Sequence, residues 1–211
     1  MKKLLIATVL LASASPLFAS SGNIHLDHAD VDLRDNASLQ RGAKYFVHYC
    51  LNCHSLKYER WQRIKEFGVP EELLKEQLMP ANAKVGDLMT TAMNADDAAS
   101  WFGAPPPDLT LEARLRGEDW IYTYLRSFYI DPSRPFGVNN VVFDKVGMPH
   151  VLWELQGMQK AIFEEHEDAS GNVSHLFKGF EMVKPGKLTP EEYDQVALDI
   201  TNFLSYMGDP S

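Results

Sequence analysis

At 211 residues the chain is long enough for one domain with its own core, and composition gives no sign of two. With 45% hydrophobic and 23% charged residues, default disorder is excluded. A net charge of −9 and a pI near 5.2 argue against nucleic-acid binding and for solubility or a basic partner.

Residues 1–19 form a signal peptide rather than part of the fold. Lys2 and Lys3 supply a charged start, Leu4 to Ala12 an apolar run, and Ser13, Ser15 and Pro16 break it before Ala19. The run is too short to cross a membrane, which takes about 20 residues. The mature domain, residues 20–211, therefore begins near Ser20 in the bacterial periplasm. Ser20 to Asn36 is polar and predicts an extended, solvated arm. Its His25 and His28, set among acids, also make a weak candidate metal site.

Ala37 to Tyr49 predicts a helix, capped at Asn36 or Ser38, with Leu39, Gly42, Phe46 and Tyr49 on one face. Glycine is a poor helix former, so Gly42 marks a place where another backbone comes close. The helix leads into Cys50-Leu51-Asn52-Cys53-His54. This is C-x-x-C-H, the attachment signature of a c-type haem. Two thiols at this spacing can add to the two vinyl groups on one edge of a haem, and the adjacent histidine offers an imidazole to the iron. C-x-x-C alone also fits a redox dithiol or half a zinc site. With only two cysteines in the chain, the second half of a zinc site is missing.

Ser55 to Ala83 is charged and helical in places, with Arg60, Arg63 and Lys65 read as solvated and Met79 as one candidate axial ligand. Met89 and Met93 lie at helical spacing, which usually means core. Pro105, Pro106 and Pro107 form a stiff loop without amide donors, suited to line a flat apolar cofactor or simply to connect. Short helices follow at Leu111–Arg116 and Glu118–Phe128. Arg114 or Arg116 can pair with a haem propionate, since the guanidinium fork matches a carboxylate.

Phe136 to Val146 predicts a loop or hairpin. Gly147-Met148-Pro149 then holds a methionine in a stiff, irregular segment, as a thioether ligand requires. On the residues alone Met148 and Met79 both stand as axial candidates, beside an open iron site. Val151 to Phe163 predicts a helix, Glu164 to Asp168 an acidic turn containing His166, and Val173 to Lys187 a short hairpin. Thr189-Pro190-Glu191-Glu192 starts the last helix, and Val196, Ile200, Phe203, Leu204 and Met207 form its buried stripe. This helix is expected to cross the first one at Gly42.

These parts resemble the mono-haem cytochrome c fold, and in detail the cytochrome c1 family, the haem subunit of quinol–cytochrome c oxidoreductase. The matching stretches are RGAKYFVHYCLNCHSLKYER, WFGAPPPDLTLEARLRGEDWIYTYLRSFYIDPSRP, NNVVFDKVGMPHVLWELQG and LTPEEYDQVALDITNFLSYMGDP. The resemblance implies a mainly α fold with loop insertions. It implies one covalent haem c on Cys50 and Cys53, with His54 and Met148 as axial ligands. It also implies a propionate contact at Arg114 and haem packing by Pro106 and Pro107.

In function, the resemblance implies an electron-transfer subunit rather than an enzyme on its own. The electron would come from a Rieske iron–sulfur protein and go to a c-type cytochrome, with cytochrome b as neighbour, on the periplasmic side of the inner membrane. The family carries a C-terminal transmembrane helix just past residue 211. Nothing here after residue 19 approaches about 18 continuous apolar residues, so membrane association comes from the resemblance alone. The alternatives are a free periplasmic cytochrome shuttle, a catalytic haem protein with an open iron site, and a dithiol redox factor.

Overall fold

The computed structural model describes residues 24–167, 171 and 173–210. The expected signal peptide lies outside the described residues. The arm that follows is extended, but it is docked rather than solvated. Asp27 N–H donates to Thr123 Oγ1 at 2.8 Å and Ala29 N–H to Asp119 Oδ1 at 2.7 Å, and Ala29 is buried. His28 meets Asp119 at 3.2 Å, and His25 is exposed. Among the described residues no three His, Cys, Asp or Glu side chains are grouped to hold a metal.

Helix α1 (Asn36–Tyr45) starts on Asp35, whose carboxylate accepts the Ala37 and Ser38 N–H groups. The cap is thus Asp35 rather than Asn36 or Ser38. The α-helix stops at Tyr45 and widens into a π turn, Phe46–Cys50. Extra width at this point carries Phe46 and Cys50 inward, where both are buried. Strand β1 (Leu56–Arg60) follows, then a 3₁₀ segment, Trp61–Phe67, and the short helix α2 (Glu71–Leu73). Strand β2 (Leu88–Met89) pairs antiparallel with β1, which makes Met89 a buried strand residue rather than a helical one. Arg63 is not solvated either: its guanidinium donates to the Tyr206 and Asp209 carbonyls at 3.2 and 2.7 Å.

Helix α3 (Ala95–Phe102) is capped by the Asn94 side chain. Helices α4 (Glu112–Arg116) and α5 (Glu118–Arg126) fall where the apolar spacing placed them, divided by Gly117. Strands β3 (Phe128–Ile130) and β4 (Val138–Asn140) then form a small antiparallel pair.

The stretch Val151 to Phe163 departs from the helical expectation. Helix α6 (Trp153–Gln156) makes one turn, Gly157 takes φ +98°, and strand β5 (Gly157–Glu167) begins. Its partner is β6 (Val173–Pro185), so the predicted hairpin at 173–187 is one arm of a longer one. The cause is long-range pairing. Eleven backbone partners from Gly157↔Pro185 to Glu167↔Val173 outweigh a weak local helical period. This ladder also corrects the fold class. The described residues are about 41% helix and 20% strand, a mixed α and β fold rather than a mainly α one.

Helix α7 (Pro190–Gly208) closes the chain and carries the core. Thr189 caps it in a reciprocal box with Glu192, and Pro190 fills the first turn. Val196, Ile200, Phe203, Leu204 and Met207 are all buried, as the sequence predicts. Where α7 crosses α1, a Cβ placed on Gly42 would lie 2.1 Å from the Asp199 carbonyl oxygen and 2.6 Å from Phe203 Cβ. Beside this contact the buried Asp199 carboxylate accepts from Ser38 Oγ at 2.7 Å, Arg41 Nε at 2.7 Å and Nη2 at 2.8 Å, and Gln195 at 2.9 Å. A buried carboxylate is tolerable only with this degree of pairing. Among the described residues no helix is long and apolar enough to cross a membrane.

Candidate functional site

The α1–α7 crossing fixes the π turn, and the turn fixes one wall of a cleft of about 350 Å³. Cys50, Cys53 and His54 line it. So do Ala104 to Pro107, Trp120, Tyr124 and Leu125 of α5, Phe143, Gly147 to Pro149, and Ile200 and Leu204 of α7. The predicted cysteines, histidine, prolines and Met148 therefore converge on one apolar cavity.

His54 is buried, with Nδ1 2.8 Å from the Pro107 carbonyl oxygen. A carbonyl only accepts, so Nδ1 carries the proton and Nε2 keeps its lone pair. This is the tautomer a metal-ligating imidazole needs, with its second nitrogen held by an outer hydrogen bond. Burial lowers the His54 pKa and so favours the neutral ring, an effect the hydrogen bond to the Pro107 carbonyl opposes in part. The proline loop thus lines the cleft and also orients the histidine.

Burial, with Cys53 beside it, pushes the Cys50 thiol up to about 12, and burial raises Cys53 as well. A thioredoxin-type dithiol works the other way, through a thiol whose pKa is lowered. The dithiol reading therefore lacks its main chemical requirement here.

Met148 sits in a loop tied down from several sides. Asn139 Oδ1 accepts from Val146 N–H at 3.4 Å, and Asn140 Oδ1 accepts from Val142 and Phe143 N–H at 2.9 and 3.2 Å. Arg134 Nη2 donates to the Lys145 carbonyl at 2.9 Å. A Cβ on Gly147 would lie 2.9 Å from the Phe102 carbonyl oxygen, so the loop is pressed against the end of α3. The Tyr124 hydroxyl donates to Met148 Sδ at 3.3 Å. Met79, the rival thioether, is buried in the main core and does not line the cleft.

The two arginines separate. Arg114 does not line the cleft; it runs along Gly208 and donates to its carbonyl at 3.3 Å. Arg116 does line it, paired with Glu112 at 2.8 Å and lying over the Trp120 ring at 4.4 Å. Of the two arginines read as possible propionate partners, Arg116 lines the cleft and Arg114 does not. Sequence reasoning missed Trp120, Phe143, Asn139 and Asn140 as site residues. The spacing of Arg116, Trp120, Tyr124 and Phe128, each four apart, was the one signal available.

A model of the cytochrome C1 family matches residues 29–211. The chain belongs to the cytochrome c1 family. It is 54% identical to a cytochrome c1 of Allochromatium vinosum, over all of this chain and 86% of that protein. It is 46% identical to a Nitrosomonas europaea protein named ammonia monooxygenase gamma subunit, over all of this chain and 84% of that one. Similarity extends to a Rhodospirillum rubrum cytochrome c1 at 25% identity, over 99% of this chain and 85% of the relative. Membership of the cytochrome c1 family implies haem binding and electron transfer.

Proposed function

We propose that the cleft holds one haem c, joined by thioethers to Cys50 and Cys53, with His54 and Met148 as axial ligands. The carrying observation is the joint placement of an imidazole with a free Nε2, a thioether and two neutral thiols on one apolar cavity. That donor set fits an iron porphyrin. When bound, the haem supplies a one-electron ferric–ferrous couple. The chain's residues do the rest. Pro107 holds the imidazole in its ligating tautomer, and the apolar walls exclude water and favour the less charged ferrous state. Arg116, at the cleft, is the partner for a propionate.

The chain then passes single electrons from a Rieske iron–sulfur protein to a c-type cytochrome, beside cytochrome b in a respiratory complex. It works on the periplasmic side of the bacterial inner membrane. Two axial ligands suit this role, because neither dioxygen nor substrate has to bind the metal. The supports are family membership and the two ligand candidates on one cavity.

The test is expression with haem-maturation machinery, followed by intact mass and the spectrum of Met148→Leu. The purified chain should carry one haem mass and show a thioether–iron charge-transfer band in the ferric state. Met148→Leu should remove the band and lower the potential. A colourless product at bare polypeptide mass refutes the haem, and a band unchanged in Met148→Leu refutes the ligand.

A further inference from the structure

The β5–β6 ribbon is anchored at its base. Gln159 is buried there, and its amide donates to the Arg126 and Phe128 carbonyls at 3.0 and 2.9 Å. Further out, no residue of 160–167 or 173–185 is buried. A two-stranded ribbon standing in water is marginally stable by itself and gains from a third element laid on it.

The surface of this ribbon is apolar for so exposed a place. Six of the fifteen large hydrophobic side chains exposed among the described residues lie on it: Ile162, Phe163, Val173, Leu176, Met182 and Val183. The register sets Ala161 opposite Phe180 and Phe163 opposite Phe177, and opposed residues share a face. On that face Tyr129, Phe163, Phe177 and Phe180 form a continuous row, with successive ring centroids 6.0, 5.9 and 4.8 Å apart. Phe163 is 41% exposed, so the row is open to solvent. Beyond it, still on that face, come Glu165 opposite His175 and Glu167 opposite Val173. The reverse face matches its charges internally, with Glu164 on Lys178 at 2.6 Å and Lys160 opposite Glu181. Among the described residues Glu165 and Glu167 have no lysine or arginine partner.

We infer that the ribbon is a docking arm for another protein, one that presents an apolar strip flanked by lysine or arginine. An exposed aromatic row ending in unmatched carboxylates fits such a segment in both chemistry and charge. A second copy of this chain is a poor occupant, because each copy carries a net charge of −9. An anionic lipid surface would repel the same carboxylates. The free part of β5, Ala161 to Glu167, is about 23 Å long at about 3.3 Å per residue, and a two-stranded face is about 10 Å wide. That is about 230 Å², well short of the roughly 800 Å² per partner in a stable complex. The arm therefore adds to an association that other surfaces also make. The inference goes beyond the haem reading and does not depend on it.

Two measurements on the full chain test it. Hydrogen exchange compares the chain purified alone with the assembly that co-purifies with it in mild detergent. Amides of 160–167 and 173–178 should exchange about tenfold more slowly in the assembly. Photo-cross-linking then replaces Phe163 by p-benzoylphenylalanine in the same assembly. The cross-linked peptide should belong to a different protein and carry net positive charge. Glu165→Lys combined with Glu167→Lys should cut the cross-link yield about fivefold at low ionic strength and less in high salt. Glu165→Gln with Glu167→Gln, which keeps the side-chain size, should give a smaller loss in the same direction. The inference is overturned by a cross-link to a second copy of this chain, to lipid, to a neutral or acidic segment, or to nothing. Equal exchange in the two preparations, or a yield indifferent to the charge changes, overturns it as well.

Discussion

Gly42 is a position at which one methyl group should weaken the fold. The substitution to test is Gly42→Ala, and local preference favours it, since alanine in a helix interior is better than glycine by about 1 kcal/mol. The tertiary contact acts in the opposite direction. The new Cβ would sit 2.1 Å from the Asp199 carbonyl oxygen, and ordinary contact begins at 3.4 Å. The two backbones must therefore part by roughly 1.3 Å, the difference of those two distances. Neither can yield by rotating a side chain, because the obstacle is main chain.

Parting α1 from α7 loosens everything packed in the seam: Leu39, Ala43 and Phe46 on one side, Ile200, Phe203 and Met207 on the other, all of them buried. A gap of about 1 Å forfeits a quarter to a half of each contact's dispersion energy. Overpacking of this kind costs about 3 kcal/mol, the upper part of the usual range, because the clash is with backbone. Subtracting about 1 kcal/mol of helix preference leaves a net loss of about 2 kcal/mol. For a domain of this size that lowers Tm by roughly 4–8 °C. Thermal and denaturant unfolding of parent and variant, with m-values compared, measures it. A Gly42→Ala protein as stable as the parent, or more so, refutes the close crossing on which the cleft's Cys50 wall depends.

Two further outcomes follow from charged groups. Arg116→Leu removes the cation lining the cleft and should lower the potential, by under about 1 kcal/mol of electrostatic energy because the side chain is partly exposed. Arg114→Leu, which leaves the cleft lining intact, should change the potential less, and redox titration of the pair checks the ranking. Asp199→Leu should destabilise by about 3 kcal/mol in denaturant melts, since it strands the buried Ser38 hydroxyl and the Arg41 fork. Asp199→Asn, which keeps part of the network, should cost less.

What the sequence disclosed is the short-range part. The C-x-x-C-H run, the Thr189-Pro190 helix start, the α7 stripe and the meaning of Gly42 each depend on neighbours within a turn or two. The structure bears out the cap, the stripe and the close crossing. What it hid depends on partners far along the chain. Residues 157–163 carry a helical pattern, and only Val173–Pro185 makes them a strand. Arg114 and Arg116 are alike in sequence, yet two residues of helix phase send one to Gly208 and the other to the cleft. Asn139 and Asn140 lie in the stretch read as a loop or hairpin. They are buried struts whose side-chain oxygens hold the Met148 loop, a role that needs the fold around them.

The two ligand candidates are supported by different kinds of atom, and this has a consequence for how such a centre can vary. The partner of His54 is the main-chain oxygen of Pro107. No side-chain substitution at position 107 deletes that oxygen, so the imidazole's tautomer is protected as long as the loop keeps its course. Met148 is held by side chains: the Tyr124 hydroxyl directly, and Asn139, Asn140 and Arg134 through the loop. Each of these is one substitution away from loss, and each can be changed without disturbing the α1–α7 crossing. Tuning of the iron's environment is therefore easier from the methionine side than from the histidine side. Variants along α5 and residues 134–148 should move the potential while leaving covalent attachment and the histidine bond intact.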